Sequence, residues 1–285
     1  MPDRPLPPLT DDGAAPKVYA GLPSDTVRVI QVTDPHLYAD PSGALLGVPT
    51  QASLDAVLDL VRAEALPADA VIATGDLVHD GSTAGYARLR ARLGQLGCPA
   101  YALPGNHDDP AALRAAAHEP PVLSCRDVRL GRWQLVFLDS TVPGQDGGRL
   151  SDTELAALDG ALDAGAEHAL VCLHHPPLPI GSDWLDGMAL ANADALFAVM
   201  DRRPAVRGVV FGHIHQPFEA ERNGVRLLGS PSTCVQFAAV RPRFGIDPAP
   251  AGYRWLGLLP DGGIATGVRR LPLPTGTVQL DARGY

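Results

Sequence analysis

The sequence predicts a mixed α/β protein in which two β-sheets pack face to face with helices on their outer sides. Three observations lead there. Short apolar, β-branched runs in the first third alternate with helical patterns, as parallel strands with crossover helices require. The middle and the end instead carry turn-linked strand pairs, which belong to antiparallel sheet. A hydrophobic content of 46% over 285 residues is ample for such a layered core.

Val27–Val32 (VRVIQV) is the first strand. Leu54, Val57, Leu58 and Val61 then follow the i, i+3, i+4, i+7 spacing of a helix, with Ser53 as its start signal. Ala70–Thr74 is a second, buried strand, followed by a helix over Thr83–Leu96 that places Tyr86, Leu89, Leu93 and Leu96 on one face. Ala100–Leu103 is a third strand. Asp109-Pro110 opens a short helix, with Asp as the cap and Pro at the first helical position.

Val122–Ser124, Val128–Leu130 and Gln134–Leu138 read as sequential antiparallel strands. Ser151 and Glu154 form an S-x-x-E capping box for a helix ending near Asp163. Ala169–Leu173 is a strand, Asn192–Met200 a helix and Val206–Phe211 a strand. Asn223-Gly224 supplies the positive φ angles of a type I′ hairpin turn, and Pro260–Gly263 joins Tyr253–Leu258 to Ile264–Val268 in a second hairpin. No linker or repeat interrupts residues 26–275, so these form a single domain. Residues 1–25 read as a flexible lead-in and 276–285 as a C-terminal tail.

The net charge of −9 argues against nucleic acid as a partner, because such proteins need a basic face to displace counterions. It leaves an anionic small molecule open, since two divalent ions would reverse the local field. No apolar run reaches the length of a membrane span, and the acidic, proline-rich start is not a secretory signal. The four cysteines, Cys98, Cys125, Cys172 and Cys234, contain no C-x-x-C pair, which fits reduced thiols in a cytoplasm.

The chemistry-bearing residues fall at strand ends. Asp34 and His36 follow the first strand, Asp76 the second and Asn106-His107 the third; His174-His175 ends ALVCLHH, and His213 and His215 lie in VVFGHIH. Carboxyl ends of strands in α/β sheets are where ligands bind. Oxygen and imidazole donors suit hard or borderline ions such as iron, manganese or zinc. A carboxylate shared by two ions would hold them at the separation used in two-metal hydrolysis. In Asp34-x-His36 and His213-x-His215 the side chains point the same way if the segments are extended. Each piece alone is compatible with a turn, a cap or a packed histidine; five in order at five strand ends are not.

The order D-x-H, G-D, G-N-H-D, H-H, G-H-x-H resembles the calcineurin-like metallophosphoesterase superfamily over nearly the whole chain. LLGV (Leu45–Val48), ATGDL (Ala73–Leu77), LPGNHD (Leu103–Asp108), WLD (Trp184–Asp186), GHIHQ (Gly212–Gln216) and PSTCVQF (Pro231–Phe237) look like the bacterial class III 3′,5′-cyclic-AMP phosphodiesterases. The resemblance implies the metallophosphoesterase fold, a four-layer αββα sandwich. It implies that Asp34, His36 and His215 hold one ion and Asn106, His174 and His213 the other, with Asp76 bridging. His175 is not a ligand in that pattern, and Pro176 after it is expected at the pocket edge and not on the metals.

The expected reaction is hydrolysis of 3′,5′-cyclic AMP to 5′-AMP by a hydroxide between the metals, attacking phosphorus in line. Asn106 and His213, with the metals, face the phosphoryl oxygens, and His107, next to a ligand, protonates the leaving 3′-oxygen; imidazole titrates near neutrality. His107 as a residue that merely orients Asn106 or Asp76 is the plainer alternative. His79 reads as an entrance or supporting residue. Arg241, Arg243 and Phe244 could lean over a nucleotide or lie on a solvated loop. Another phosphate-ester hydrolase of the superfamily, or a non-catalytic cyclic-nucleotide-binding regulator, remain alternatives. The expected cofactors are two divalent ions, the partner a small cyclic nucleotide with no membrane, and the state a monomer or homodimer.

Overall fold

The computed structural model describes residues 17–163 and 165–284. After one 3-10 turn, Lys17–Tyr19, come β1 (Val27–Val32), the small hairpin β2 (Ala44–Leu45) and β3 (Val48–Pro49), and α1 (Thr50–Glu64). β4 (Ala70–Thr74), α2 (Thr83–Gly94), β5 (Ala100–Leu103) and α3 (Pro110–Ala116) follow. The middle holds β6 (His118–Glu119), β7 (Val122–Leu123), β8 (Asp127–Leu130), β9 (Trp133–Phe137), α4 (Asp152–Asp163) and β10 (His168–Cys172). Then come α5 (Asp183–Asp186), α6 (Ala193–Met200), β11 (Val206–Phe211), β12 (Phe218–Arg222) and β13 (Val225–Gly229). The last strands are β14 (Gln236–Phe237), β15 (Ile246–Asp247), β16 (Gly252–Leu258) and β17 (Ile264–Arg270).

Two sheets result. One has the order β17-β16-β1-β4-β5-β7-β6, the other β12-β13-β11-β10-β9-β8. Each is parallel at its centre (β1, β4, β5, β7; β9, β10, β11, β13) and antiparallel at its margins. Alternation along β1 sets the layers: Val27 and Val29 face the second sheet, while Ile30 and Val32 face the helices. Ile30, Val32, Val71 and Ala73 pack against Leu54, Val57, Leu58 and Val61 of α1 and Tyr86, Leu89 and Leu93 of α2. Between the sheets, Val29, Ile72, Tyr101 and Leu103 meet Leu135, Phe137, Leu170, Cys172 and Val210. Beyond the second sheet, Val171, Leu173, Val209 and Phe211 pack on Leu158 and Leu162 of α4 and Leu196 and Val199 of α6. These four layers are the αββα sandwich that the resemblance implies.

Several local expectations are corrected. Residues 122–124 do not join the strands after them: β7 pairs parallel with β5 in the first sheet, and of the three expected strands β8 and β9 alone pair antiparallel with each other, in the second. An apolar triplet specifies a strand but not its neighbour; here β7 lies against α2 and Val122 joins the core of the first sheet. α1 starts at Thr50, three residues before Ser53, and Pro49 makes no side-chain cap bond. Ser53 is buried instead, its Oγ donating to Thr233 O at 2.7 Å. The capping box is half formed: Ser151 Oγ accepts from Glu154 N at 3.1 Å, but Glu154 turns away to accept from Asp139 N and to pair with Arg126.

The lead-in expected over residues 1–25 lies in part outside the described residues. From Lys17 onward it packs on the domain, a 3-10 turn with Tyr19 buried edge-on to Trp255, so this part of the expected lead-in is not flexible. The expected tail also packs: Gln279 N donates to Leu46 O, and Val278 lies against the outer core of the second sheet. All four cysteines are free. No helix among the described residues is long and apolar enough to cross a membrane.

Candidate metal centre

The site forms where the carboxyl ends of the parallel strands meet. Beyond β1 and β4 the backbone pairing continues into the loops: Asp34 N donates to Gly75 O, His36 N to Asp76 O and Leu37 N to Leu77 O, at 3.0–3.1 Å. Yet Asp34, His36 and Asp76 have φ near +50°, and His213 and His215 are at +68° and +47°. Of the eight non-glycine residues with positive φ among the described residues, these are five. The D-x-H and H-x-H segments are therefore not extended, contrary to the simple alternation expected; left-handed kinks turn the side chains inward. Two glycines allow the loops to close. A Cβ on Gly105 would lie 2.2 Å from Asp76 Oδ1, and one on Gly212 would lie 2.2 Å from Thr33 Oγ1.

The seven expected ligands converge as two groups that share Asp76. In the first, Asp34 Oδ1 lies 3.3 Å from His215 Nε2, and His36 Nε2 lies 3.2 Å from His215 Nε2. In the second, Asn106 Oδ1 lies 3.2 Å from His174 Nε2 and 3.1 Å from His213 Nδ1. Asp76 Oδ2 stands between them, 3.7 Å from His36 Nε2 and 3.4 Å from His174 Nε2. All are buried except Asn106, which is half-buried.

This donor set fits metal ions. His215 Nδ1 donates to Val235 O and His174 Nδ1 to Thr74 O, both at 2.9 Å. A carbonyl can only accept, so in the neutral rings the Nε2 lone pairs face inward, toward other lone pairs. Only a proton or a metal cation between them relieves that. Burial alone would lower the pKa of His174, but the Asp76 carboxylate raises it to about 9. Burial lowers His36 and His213 well below the ordinary histidine value, and Asp76 is held well below the carboxylate range by His174 despite its burial. The buried Asp34 and Asp76 carboxylates thus face imidazoles of which His36 and His213 are held neutral, a donor set suited to hard or borderline divalent ions.

Neighbouring residues hold this arrangement. Asp108 accepts from Leu77 N, Val78 N, Gly105 N and the Tyr86 hydroxyl, tying the Asp76 loop to the Asn106 loop. Burial, with the nearby Asp76, pushes its carboxyl up to about 6. Ser232 Oγ donates to Asp34 O at 2.7 Å, and Phe237 stacks on His215 at 4.0 Å and 10°. PSTCVQF is thus a clamp on the first group. His175 is occupied elsewhere, its Nδ1 2.8 Å from Ser140 Oγ and its Nε2 3.1 Å from Asp146 O.

His107 is half-buried at the mouth of the site. Its backbone N donates to Asp76 Oδ1 at 3.0 Å, and its ring lies 5.0 Å from that of His36. His79 was underrated by sequence reasoning. Its Nδ1 faces His36 Nδ1 at 3.1 Å and its ring stacks on His107 at 4.5 Å and 20°; burial and His107 push its pKa down to about 4. No spacing rule marks it, only its place two residues past Leu77.

A cavity of about 240 Å³ opens beside the second group, bounded by Asn106, His107 and His213 at one end and by Trp184, Met188 and Phe244 along its walls. A larger cavity of about 300 Å³, between Arg114, Cys125 and Glu154, is lined by none of the candidate ligands. Phe244 therefore reaches the site, whereas Arg241 and Arg243 do not line it.

Comparison with known proteins agrees with this geometry. Residues 27–217 match the calcineurin-like phosphoesterase family. The chain is 41% identical to the 3′,5′-cyclic adenosine monophosphate phosphodiesterase CpdA of Pseudomonas aeruginosa, over 91% of this chain and 96% of that protein. It is 42% identical to CpdA of Escherichia coli K12, over 86% and 90%. It is 39% identical to a 3′,5′-cyclic-nucleotide phosphodiesterase of Nostoc, over 86% and 93%. Among solved structures, a dimetal phosphatase from Danio rerio superposes with a TM-score of 0.65 at 13% identity, over 86% and 96% of the two chains, which shows the shared fold. The chain belongs to the calcineurin-like phosphoesterase family.

Proposed function

We propose that this calcineurin-like phosphoesterase hydrolyses 3′,5′-cyclic AMP to 5′-AMP with two divalent metal ions, iron or manganese, zinc being compatible. The observation that carries the reading is the pair of buried donor groups joined through Asp76 Oδ2 beside a cavity. The first ion would be held by Asp34, His36, Asp76 and His215, the second by Asp76, Asn106, His174 and His213. Bound there, the ions would supply a nucleophilic water and a counter-charge for the phosphoryl oxygens. The substrates named for the relatives support cyclic AMP.

The chain's own groups do the rest. His213 turns Nδ1 to the second group and leaves Nε2 buried with no partner among the described residues, a donor ready for a phosphoryl oxygen. Asn106 sits at the same end of the cavity. His107, braced by the His79 ring, gives its proton to the departing 3′-oxygen. The phosphodiester is small and diffusible, and we place the reaction in the cytoplasm, where free thiols such as those of this chain persist.

The test is metal analysis and turnover together. Protein reconstituted with manganese or iron is given 3′,5′-cyclic AMP, 2′,3′-cyclic AMP and 5′-AMP side by side. Two ions per chain and conversion of the first substrate to 5′-AMP support the reading. Absence of any phosphodiester turnover, with both ions present, overturns it.

A further inference from the structure

We propose that the cavity beside the second donor group is the seat of the nucleobase, and that Trp184 and Phe244 are the residues that hold it. The proposal rests on the cyclic-nucleotide reading above and adds where the base goes and what selects it.

The cavity is lined by Asn106, His107 and His213, which face the phosphate in that reading, and by the rings of Trp184 and Phe244. Those rings belong to a tight cluster. Trp184 meets Phe237 edge-on at 5.1 Å and 76°, and Phe244 at 5.2 Å and 68°; Phe237 and Phe244 are 5.7 Å apart at 64°. Edge-to-face pairs of this kind fix ring orientation as well as position. Phe237 in turn lies flat on His215, so the walls of the cavity are referenced to a ligand of the metal centre.

The local backbone is built to present these two rings. Trp184 sits on the four-residue α5, whose Asp186 carboxylate accepts from Ile180 N at 2.7 Å and Gly181 N at 3.2 Å. Ser182, which precedes α5, accepts through Oγ from Arg241 N at 3.2 Å, joining the Trp184 segment to the loop that carries Phe244. Trp184 Nε1 is also buried with no partner among the described residues. A flat, polarisable ligand has a face to pack on this aromatic surface. A nucleobase is such a ligand; a simple alkyl or sugar ester is not. With the cyclic phosphate held at Asn106 and His213, the base projects along the cavity toward Trp184.

The experiment uses the metal-loaded protein and the variants W184A, W184F and F244A, with metal content and melting temperature recorded for each. The first readout is the ratio of kcat/KM for 3′,5′-cyclic AMP to that for methyl 4-nitrophenyl phosphate, which has no base. Loss of one aromatic platform should lower this ratio about 5- to 100-fold in W184A and F244A, mainly through KM, with W184F recovering much of it. The second readout is calorimetric binding of 5′-AMP against ribose 5-phosphate. The wild type should prefer 5′-AMP, and W184A and F244A should lose that preference. Unchanged ratios and an unchanged preference in both variants would overturn the proposal. Failure of the phosphodiesterase reading shows separately, as no turnover of cyclic AMP by the wild type, and the binding comparison still decides where the base sits.

Discussion

Replacing His107 with Ala separates proton donation from metal binding. The bond that ties this residue to Asp76 is made by its backbone N–H, at 3.0 Å, and survives loss of the side chain. What goes is the imidazole stacked on His79 and edge-on to His36. A positioned general acid contributes about 10²–10⁴-fold, or about 2.7–5.4 kcal/mol of barrier. That loss should depend on the leaving group. The 3′-oxygen of a ribose departs as a poor alkoxide and needs the proton, whereas 4-nitrophenolate does not. His107→Ala should therefore cut kcat on 3′,5′-cyclic AMP by about 100-fold or more, and on methyl 4-nitrophenyl phosphate by less than about tenfold. Steady-state kinetics with both substrates, alongside elemental analysis of the same samples, reads this directly. Equal losses on the two substrates, or metal loss in proportion to activity, would refute the assignment and return His107 to a supporting role.

Further outcomes follow from the same geometry. His174 in the metal-free protein has its pKa raised from 6.5 to about 9, so its pairing with Asp76 stabilises the fold fully below about pH 6.5 and that contribution is lost as pH rises through about 9. Calorimetry should show the melting temperature of metal-free protein falling across this window with no matching fall in loaded protein; a flat metal-free curve would contradict it. His79→Ala removes the partner of His36 Nδ1 and should weaken metal binding about 10- to 100-fold, measured by competition with a chelating dye, and wild-type affinity would exclude His79 from this role. Gly105→Ala would place a methyl 2.3 Å from Asp76 N, a backbone atom that cannot yield locally. The variant should keep its circular dichroism yet lose metal; normal metal content would show that the loop has room after all.

Much of this site was legible because parallel strands deliver their next residues to one edge. The places of Asp34, Asp76, Asn106, His174 and His213 follow from β1, β4, β5, β10 and β11 alone, once those apolar runs are read as strands. What periodicity could not reveal was partnership. Val122 and Val128 look alike as strand residues, yet the chain changes sheets between them, Val122 joining the core of the first sheet beside α2. Tyr86 reads as a core residue of a helix face and is one, but its hydroxyl also bonds Asp108, a role that needs the fold to be visible. Ser53 has the chemistry of a cap and serves as a tether to Thr233, because α1 begins a turn earlier and turns that hydroxyl inward.

The left-handed residues give the deepest reason why the ligand geometry escaped the pattern. A non-glycine residue in that region costs about 1–2 kcal/mol, so five of them concentrate strain of about 5–10 kcal/mol in three loops. Strain of that size persists only where the surroundings over-determine it. Here they do: the Asp34–Gly75 and His36–Asp76 backbone bonds, the Ser232 and Thr233 bonds to residues 33 and 34, and the four bonds to Asp108 fix the first two loops without using a candidate ligand side chain, and Ile214 N–Gly212 O and Phe237 N–His215 O brace the third. Hydrogen bonds within the fold thus hold the strained residues, His213 N among them donating to the Asp34 carboxylate. Removing the metals should leave these loops in place, with the donors already pointing at one another, so that affinity is set in advance by geometry instead of being spent on ordering the chain.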